Sequence, residues 1–137
     1  MIAPDGSIQH SRDGVAALSA LVVDDQMLLA QLLAERLALE GFDTMVATTV
    51  AEAVQSCESR RHHVAFVDMA LPDGSGAEVA AELRKRSAEI MVVLMTGFAC
   101  SVEDPLLDGG QFDALLPKPW RPAELDAVLA ALWRRQQ

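Results

Sequence analysis

Four apolar runs in this chain end in a residue able to do chemistry. Leu18 to Val23 stops at Asp24-Asp25, and Val64 to Val67 stops at Asp68. Ile90 to Met95 stops at Thr96, and Ala114 to Leu116 runs into Pro117 and Lys118. A carboxylate ending a hydrophobic run is costly to bury, so its charge must be compensated nearby. Three acids brought together would repel by about 1 kcal/mol per pair in water-like surroundings, and about 4 kcal/mol in a partly buried site. A hard divalent cation relieves that repulsion. Mg2+ suits the set, because it takes a few carboxylates and keeps waters that other oxygens can replace. Lys118 adds a compact positive charge and Thr96 a hydroxyl donor. Carboxylates, magnesium, an amine and a hydroxyl are the parts that hold a transferring phosphoryl group. With Asp68 central, its carboxylate is the expected nucleophile and the product an aspartyl-phosphate. A plainer reading makes Asp24-Asp25 a helix cap and Lys118 an ion-pair partner of Asp68. It accounts for one or two of these residues, not for all of them falling at the ends of apolar runs.

The elements that must position these residues can be read in order. Met1 to Ala17 has turn signals but no apolar periodicity, and is expected to be a disordered arm. Leu18 to Val23 is a strand. Gln26 to Glu40 reads as a helix with Leu29, Leu33 and Leu37 four apart, stopped by Gly41 in a left-handed cap position. Phe42 to Ala47 is a second strand. Thr49 opens a helix with Glu52 at capping-box spacing, and Val50, Ala53, Val54 and Cys57 form its buried stripe. Arg60-Arg61-His62-His63 reads as a polar connector, since neighbouring histidines rarely point the same way. A third strand ends at Asp68, and the Pro72 to Gly76 turn leads into a helix reaching Ser87. The fourth strand, Ile90 to Met95, is followed by a short helix from Ser101 that Gly109-Gly110 ends. The fifth strand is Ala114 to Leu116, and Pro122 starts a last helix with Leu125, Val128, Leu129 and Leu132 at helical spacing. Trp120 and Trp133 are expected to pack at helix ends.

Strands apolar on both faces, alternating with helices, imply an α/β parallel sheet covered on both sides by right-handed crossovers. Such sheets gather chemistry at the carboxyl ends of their strands. Asp24, Asp25, Asp68, Thr96 and Lys118 then share one edge.

Composition bounds the rest. The 137 residues are 51% hydrophobic and only 4% aromatic, which suits one domain with an aliphatic core. A formal net charge of -9 argues against non-specific binding to nucleic acid or to an anionic membrane. No apolar run approaches membrane-spanning length, and the N-terminus lacks a secretion pattern. Two cysteines, Cys57 and Cys100, make neither a disulfide framework nor a metal cluster, so a cytoplasmic location is expected.

Taken in order, Leu21-Val22-Val23-Asp24-Asp25, Val67-Asp68, Leu71-Pro72-Asp73-Gly74-Ser75-Gly76, Met95-Thr96-Gly97 and Lys118-Pro119 give the chain a clear resemblance. It resembles the receiver domains of bacterial two-component response regulators, over about Ser19 to Arg135. The resemblance implies a flavodoxin-like (βα)5 fold with strand order 2-1-3-4-5, residues 18–137 forming the domain after an arm at 1–17. It implies that Asp68 accepts phosphate from the phosphohistidine of a sensor histidine kinase or a histidine phosphotransfer protein. Asp25, Asp68 and the Ala70 main-chain carbonyl would then ligate Mg2+, with Asp24 acting mainly through water. Thr96 and Lys118 would hold the phosphoryl oxygens, and Lys118-Pro119 would be cis. The domain would promote only its own phosphorylation and dephosphorylation, and would pass its signal to a protein target rather than to DNA. A phosphorelay intermediate, a phosphate sink and a receiver module excised from a longer protein remain open readings. A phosphorylation-independent adaptor would not need the full set of residues. A dehalogenase-type phosphatase would want a second acid where Ala70 stands. One departure touches the switch: Leu115 occupies the position where many receivers carry Tyr or Phe, and Phe98 follows Thr96-Gly97.

Overall fold

In the computed structural model, residues 18–97 and 111–136 are described. The arm at 1–17, the helix expected from Ser101, Phe98 and Cys100 lie outside the described residues. The chain runs β1 (Ser19–Val23), α1 (Met27–Leu39), β2 (Asp43–Ala47), α2 (Val50–Ser59), β3 (Val64–Asp68), β4 (Ala70–Leu71) and β5 (Gly74–Ser75). It continues through α3 (Gly76–Arg86), β6 (Met91–Thr96), β7 (Ala114–Pro117) and a helix here called α4 (Pro122–Arg135). Five strands form one sheet in the order β2-β1-β3-β6-β7, with every pairing parallel. With β4 and β5 set aside, this is the order 2-1-3-4-5 of a flavodoxin-like fold.

Side chains of successive strand residues point to opposite faces, and the core follows that period. Ala20, Val22, Val64, Phe66, Val93 and Met95 pack with Ala30, Leu33 and Leu37 of α1 and Leu125, Leu129 and Leu132 of α4. Leu21, Val23, Ala65, Val67, Val92 and Leu94 pack with Ala53 of α2 and Val79, Ala80 and Leu83 of α3. The inner strands β1, β3 and β6 are apolar through most of their length because both of their faces are covered, whereas the edge strand β2 begins with an exposed Asp43. Two helix starts carry a local side-chain cap. Thr49 Oγ1 accepts from Glu52 N at 3.0 Å, and Ser75 Oγ accepts from Glu78 N at 3.3 Å. Gly41, with φ 102°, closes α1, a conformation that side chains other than glycine's rarely adopt. The Phe42 and Trp133 rings stack at 5.3 Å, as expected for a helix-end packing residue.

Four expectations change. Leu29 is not in the buried stripe of α1, which is Ala30, Leu33, Ala34 and Leu37; Leu29 sits on its flank, 42% exposed. The α2 capping box is half formed, because Glu52 reaches back to Thr48 N at 2.6 Å and Thr48 Oγ1 at 2.7 Å, not to Thr49. The turn after Asp68 is an antiparallel hairpin, with Ala70 paired to Ser75 and Leu71 to Gly74. The connector before β3 is not simply solvated: His62 is 1% exposed, between the Ser19 and Ser56 hydroxyls.

Candidate functional site

Parallel strands in register carry their last residues to one edge. Asp68 is paired across to Met95, which places Thr96 one step beyond it on β6. Thr96 is paired to Pro117, and Lys118 N donates to Thr96 O at 2.8 Å. On the other side of β3, Val23 pairs with Val67, and Asp24 follows directly. The register alone assembles the set.

Carboxylate oxygens of Asp24, Asp25 and Asp68 all lie within 4.8 Å of one another. Asp24 is buried, Asp68 half-buried and Asp25 exposed. Lys118 Nζ lies 2.9 Å from Asp24 Oδ2 and 3.5 Å from Asp68 Oδ2. Gln26 completes the inner contacts, accepting from Lys118 Nζ at 3.1 Å through Oε1. Its backbone N–H donates to Asp24 Oδ1 at 3.0 Å. So Asp24 is held on one oxygen by a backbone amide and on the other by an ammonium.

The electrostatics follow from this geometry. Burial pushes the Asp68 carboxyl above its ordinary range; Lys118 opposes that, and the charges of Asp24 and Asp25 reinforce it. Burial pulls Lys118 the other way, but its hydrogen bond and charge contact with Asp24, then Asp68, hold it above its ordinary value. Lys118 is therefore a fixed cation. That one ammonium leaves the three clustered acids, Asp68 and its two acidic neighbours, undercompensated.

The donor set is oxygen only, with three carboxylates converging and one of them open to solvent. That fits a hard cation such as Mg2+, which binds through few carboxylates and keeps its remaining waters. Ala70, whose carbonyl was expected to help, is exposed at the start of the β4–β5 hairpin, two residues past Asp68.

The loop behind Asp68 is tied down at two points. Gly76 N donates to Met69 O at 2.8 Å, and a Cβ on Gly76 would lie 2.6 Å from the Asp68 carbonyl oxygen. Asp73 accepts from Val50 N at 2.7 Å and Ala51 N at 3.1 Å, so the hairpin turn caps the start of α2. Those bonds, Val50 first, hold the Asp73 carboxyl below its ordinary range.

Of the residues singled out in the sequence, Asp24, Asp25, Asp68, Thr96 and Lys118 stand together. Gln26 was missed; its only signal was adjacency to the acidic pair, and a glutamine at a helix start is common. Cys57 is half-buried against the α2–α3 core, and burial pushes its thiol up to about 11, as expected of a packing residue. Beside Lys118, an apolar cavity of about 180 Å³ is lined by Leu29, Leu32, Leu33, Met95, Pro119 and Trp120, among others. The Lys118-Pro119 peptide is cis.

Comparison with known proteins agrees with this geometry. The family model described as response regulator receiver domain matches residues 20–130. The acid tolerance regulatory protein ActR of Rhizobium meliloti is 33% identical over 120 residues, covering 85% of this chain and 59% of that protein. The chain spans about half the length, or slightly more, of the curated relatives it matches. A CheY-like receiver domain protein from Methanospirillum hungatei superposes with a TM-score of 0.78 at 25% identity, covering 88% of this chain and 98% of that one. A response regulator from Burkholderia pseudomallei, with a phosphorylated aspartic acid, a calcium ion and citrate, gives a TM-score of 0.71 at 27% identity. That match covers 84% of this chain and 66% of the other.

Proposed function

This chain belongs to the response regulator receiver domain family, and from that premise we propose that it is a switch phosphorylated on Asp68 with Mg2+. The observation that carries this reading is the convergence of three carboxylates and one ammonium at a single sheet edge. Asp25, Asp68 and the Ala70 carbonyl would hold the ion, with Asp24 behind them. Bound there, Mg2+ would neutralise the excess acid charge and accept phosphoryl oxygens. The chain's own groups do the remaining work. An Asp68 carboxylate oxygen attacks the phosphorus of a phosphohistidine, forming a P–O bond as the P–N bond breaks. The imidazole nitrogen leaves with the bonding pair. Lys118 and Thr96 meet the phosphoryl oxygens at the strand ends, where charge builds in a loose transition state. The phosphorylated aspartate in the Burkholderia pseudomallei relative supports this chemistry.

The donor on this reading is a sensor histidine kinase or a histidine phosphotransfer protein, the recipient of the signal is a protein, and the location is the cytoplasm. No helix among the described residues is long and apolar enough to cross a membrane. Catalysis is confined to the domain's own phosphorylation and dephosphorylation. A relay intermediate or a phosphate sink uses the same chemistry and differs only in what happens next.

The experiment is phosphotransfer from a panel of autophosphorylated kinases and phosphotransfer proteins, with and without Mg2+. Rapid transfer from one donor, lost on chelation, is expected. Transfer from none of them, or transfer indifferent to chelation, contradicts the proposal.

A further inference from the structure

The buried histidine at the end of the sheet away from Asp68 has no part in phosphoryl chemistry, yet the chain invests several bonds in it. His62 Nδ1 lies 2.8 Å from Ser19 Oγ, and His62 Nε2 lies 2.8 Å from Ser56 Oγ. The neighbouring His63 accepts through Nδ1 from the Ser19 backbone N–H at 3.0 Å. His63 N in turn donates to Ser19 O at 2.8 Å. Two adjacent imidazoles thus hold the hydroxyl and the amide of one residue, the first of β1.

The His63 bond fixes a protonation state by geometry. A backbone N–H can only donate, so Nδ1 must carry a lone pair and the ring proton must sit on Nε2. A proton added at Nδ1 would set two donors against each other and break the contact. His62 is constrained by burial instead. Its two hydroxyl partners can turn to suit either form, but a charge there needs a counter-charge.

None is free among the described groups around it. Arg60 and Arg61 come from the connector, Asp43 from β2, Glu58 from α2 and Arg86 from α3. Glu89 precedes β6, and Arg135 ends α4. Asp43 is taken by Arg60 at 2.8 Å, Glu89 by Arg61 at 3.4 Å and Glu58 by Arg86 at 3.1 Å. Arg86 also holds Glu82 at 2.9 Å and Arg135 lies 3.6 Å from Asp113, so each of these five carboxylates is already engaged by an arginine.

We propose that His62 and His63 form an acid-operated clasp on the start of β1, shut when both rings are neutral and opened when they take up protons. Because β1 lies between β2 and β3 and leads directly into Asp24, the clasp fastens the strand that delivers the acidic pair.

The direction of the pH effect follows. Burial, then Arg60 and His63, pull His62 down from 6.5 to about 4, and burial with Arg61 and Arg60 also lowers His63. A base lowered on folding binds more protons in the unfolded chain. Its contribution to stability is complete above pH 6.5 and is lost as the pH falls toward 4. For His62 alone this is about a twentyfold fall in the folding equilibrium constant between pH 7 and 5.

The test pairs a non-titrating variant with a measurement on the natural chain. In His62→Gln with His63→Asn, amide groups replace the rings, the Asn carbonyl oxygen taking the place of His63 Nδ1. Denaturant unfolding at pH 7 and pH 5, with excess Mg2+, should show the natural chain's folding equilibrium constant falling about twentyfold and the variant's much less. Equal losses in both overturn the proposal. If the double variant does not fold, nitrogen-15 shifts of the natural chain decide. A His63 ring carrying its proton on Nε2, with Ser19 amide protection falling as the imidazoles titrate, supports the clasp. A proton on Nδ1 at pH 7, or Ser19 protection unchanged through the titration, refutes it.

Discussion

Asp68 is the residue at which stability and chemistry pull apart. Its carboxyl is raised by burial against two further acids, with Lys118 opposing. An acid raised on folding costs the native state stability above its folded pKa, and the cost disappears as the pH falls toward 3.8. The metal-free domain should therefore gain from Asp68→Asn at pH 7.5, by roughly 1 kcal/mol or about 4 °C in Tm. The gain should vanish near pH 3.5 and shrink with saturating Mg2+, which thermal unfolding under the three conditions will show. Ala70 belongs to the same scale. It is exposed two residues past Asp68 and offers only a methyl group to a water approaching the phosphorus. Ala70→Asn supplies a polar anchor for that water, and orienting a reactant is a large part of many rate enhancements. The phosphoryl adduct should decay several-fold faster in the variant; an unchanged half-life would show that Ala70 does not set the lifetime.

At the scale of elements, the site depends on how closely α3 approaches the end of β3. Gly76 opens α3, and a Cβ there would lie 2.6 Å from the Asp68 carbonyl oxygen and 3.1 Å from Met69 Cα. These are backbone atoms, so the strand end itself must move. Gly76→Ala should lower stability by about 1–3 kcal/mol and weaken Mg2+ binding together, as calorimetry and denaturant unfolding can report. Gly97, with nothing within 4 Å of its added Cβ, is the internal control and should tolerate alanine. Much of this level was readable in the sequence, because apolar runs ending in Asp24, Asp68 and Thr96 mark strands and the edge of the candidate site at once. What escaped depended on contacts distant in sequence. His62 becomes buried only because Ser19 and Ser56, from 43 residues before and 6 before, close around it. Asp73 caps α2 across 23 residues, and no local pattern announces that. Leu29 kept the four-residue spacing of Leu33 and Leu37, but 3.6 residues per turn carried it off the buried face and left Ala30 inside.

For the whole molecule, one sheet edge brings together, among the described residues, three carboxylates and the Lys118 ammonium, while the opposite end carries paired arginines around two histidines. The two ends respond oppositely to acid: protonating Asp68 relieves the metal-free domain, whereas protonating His62 costs it. The central claim remains that the acidic edge accepts a phosphoryl group on Asp68. Intact-mass analysis after reaction with an active donor and Mg2+, followed by peptide mapping of the alkali-labile adduct, tests it most directly. A single phosphoryl group in the peptide containing Asp68, absent from Asp68→Asn and lost on chelation, is the predicted result. An adduct of equal yield on the Asp68→Asn protein, or one mapped to another residue, would contradict the account.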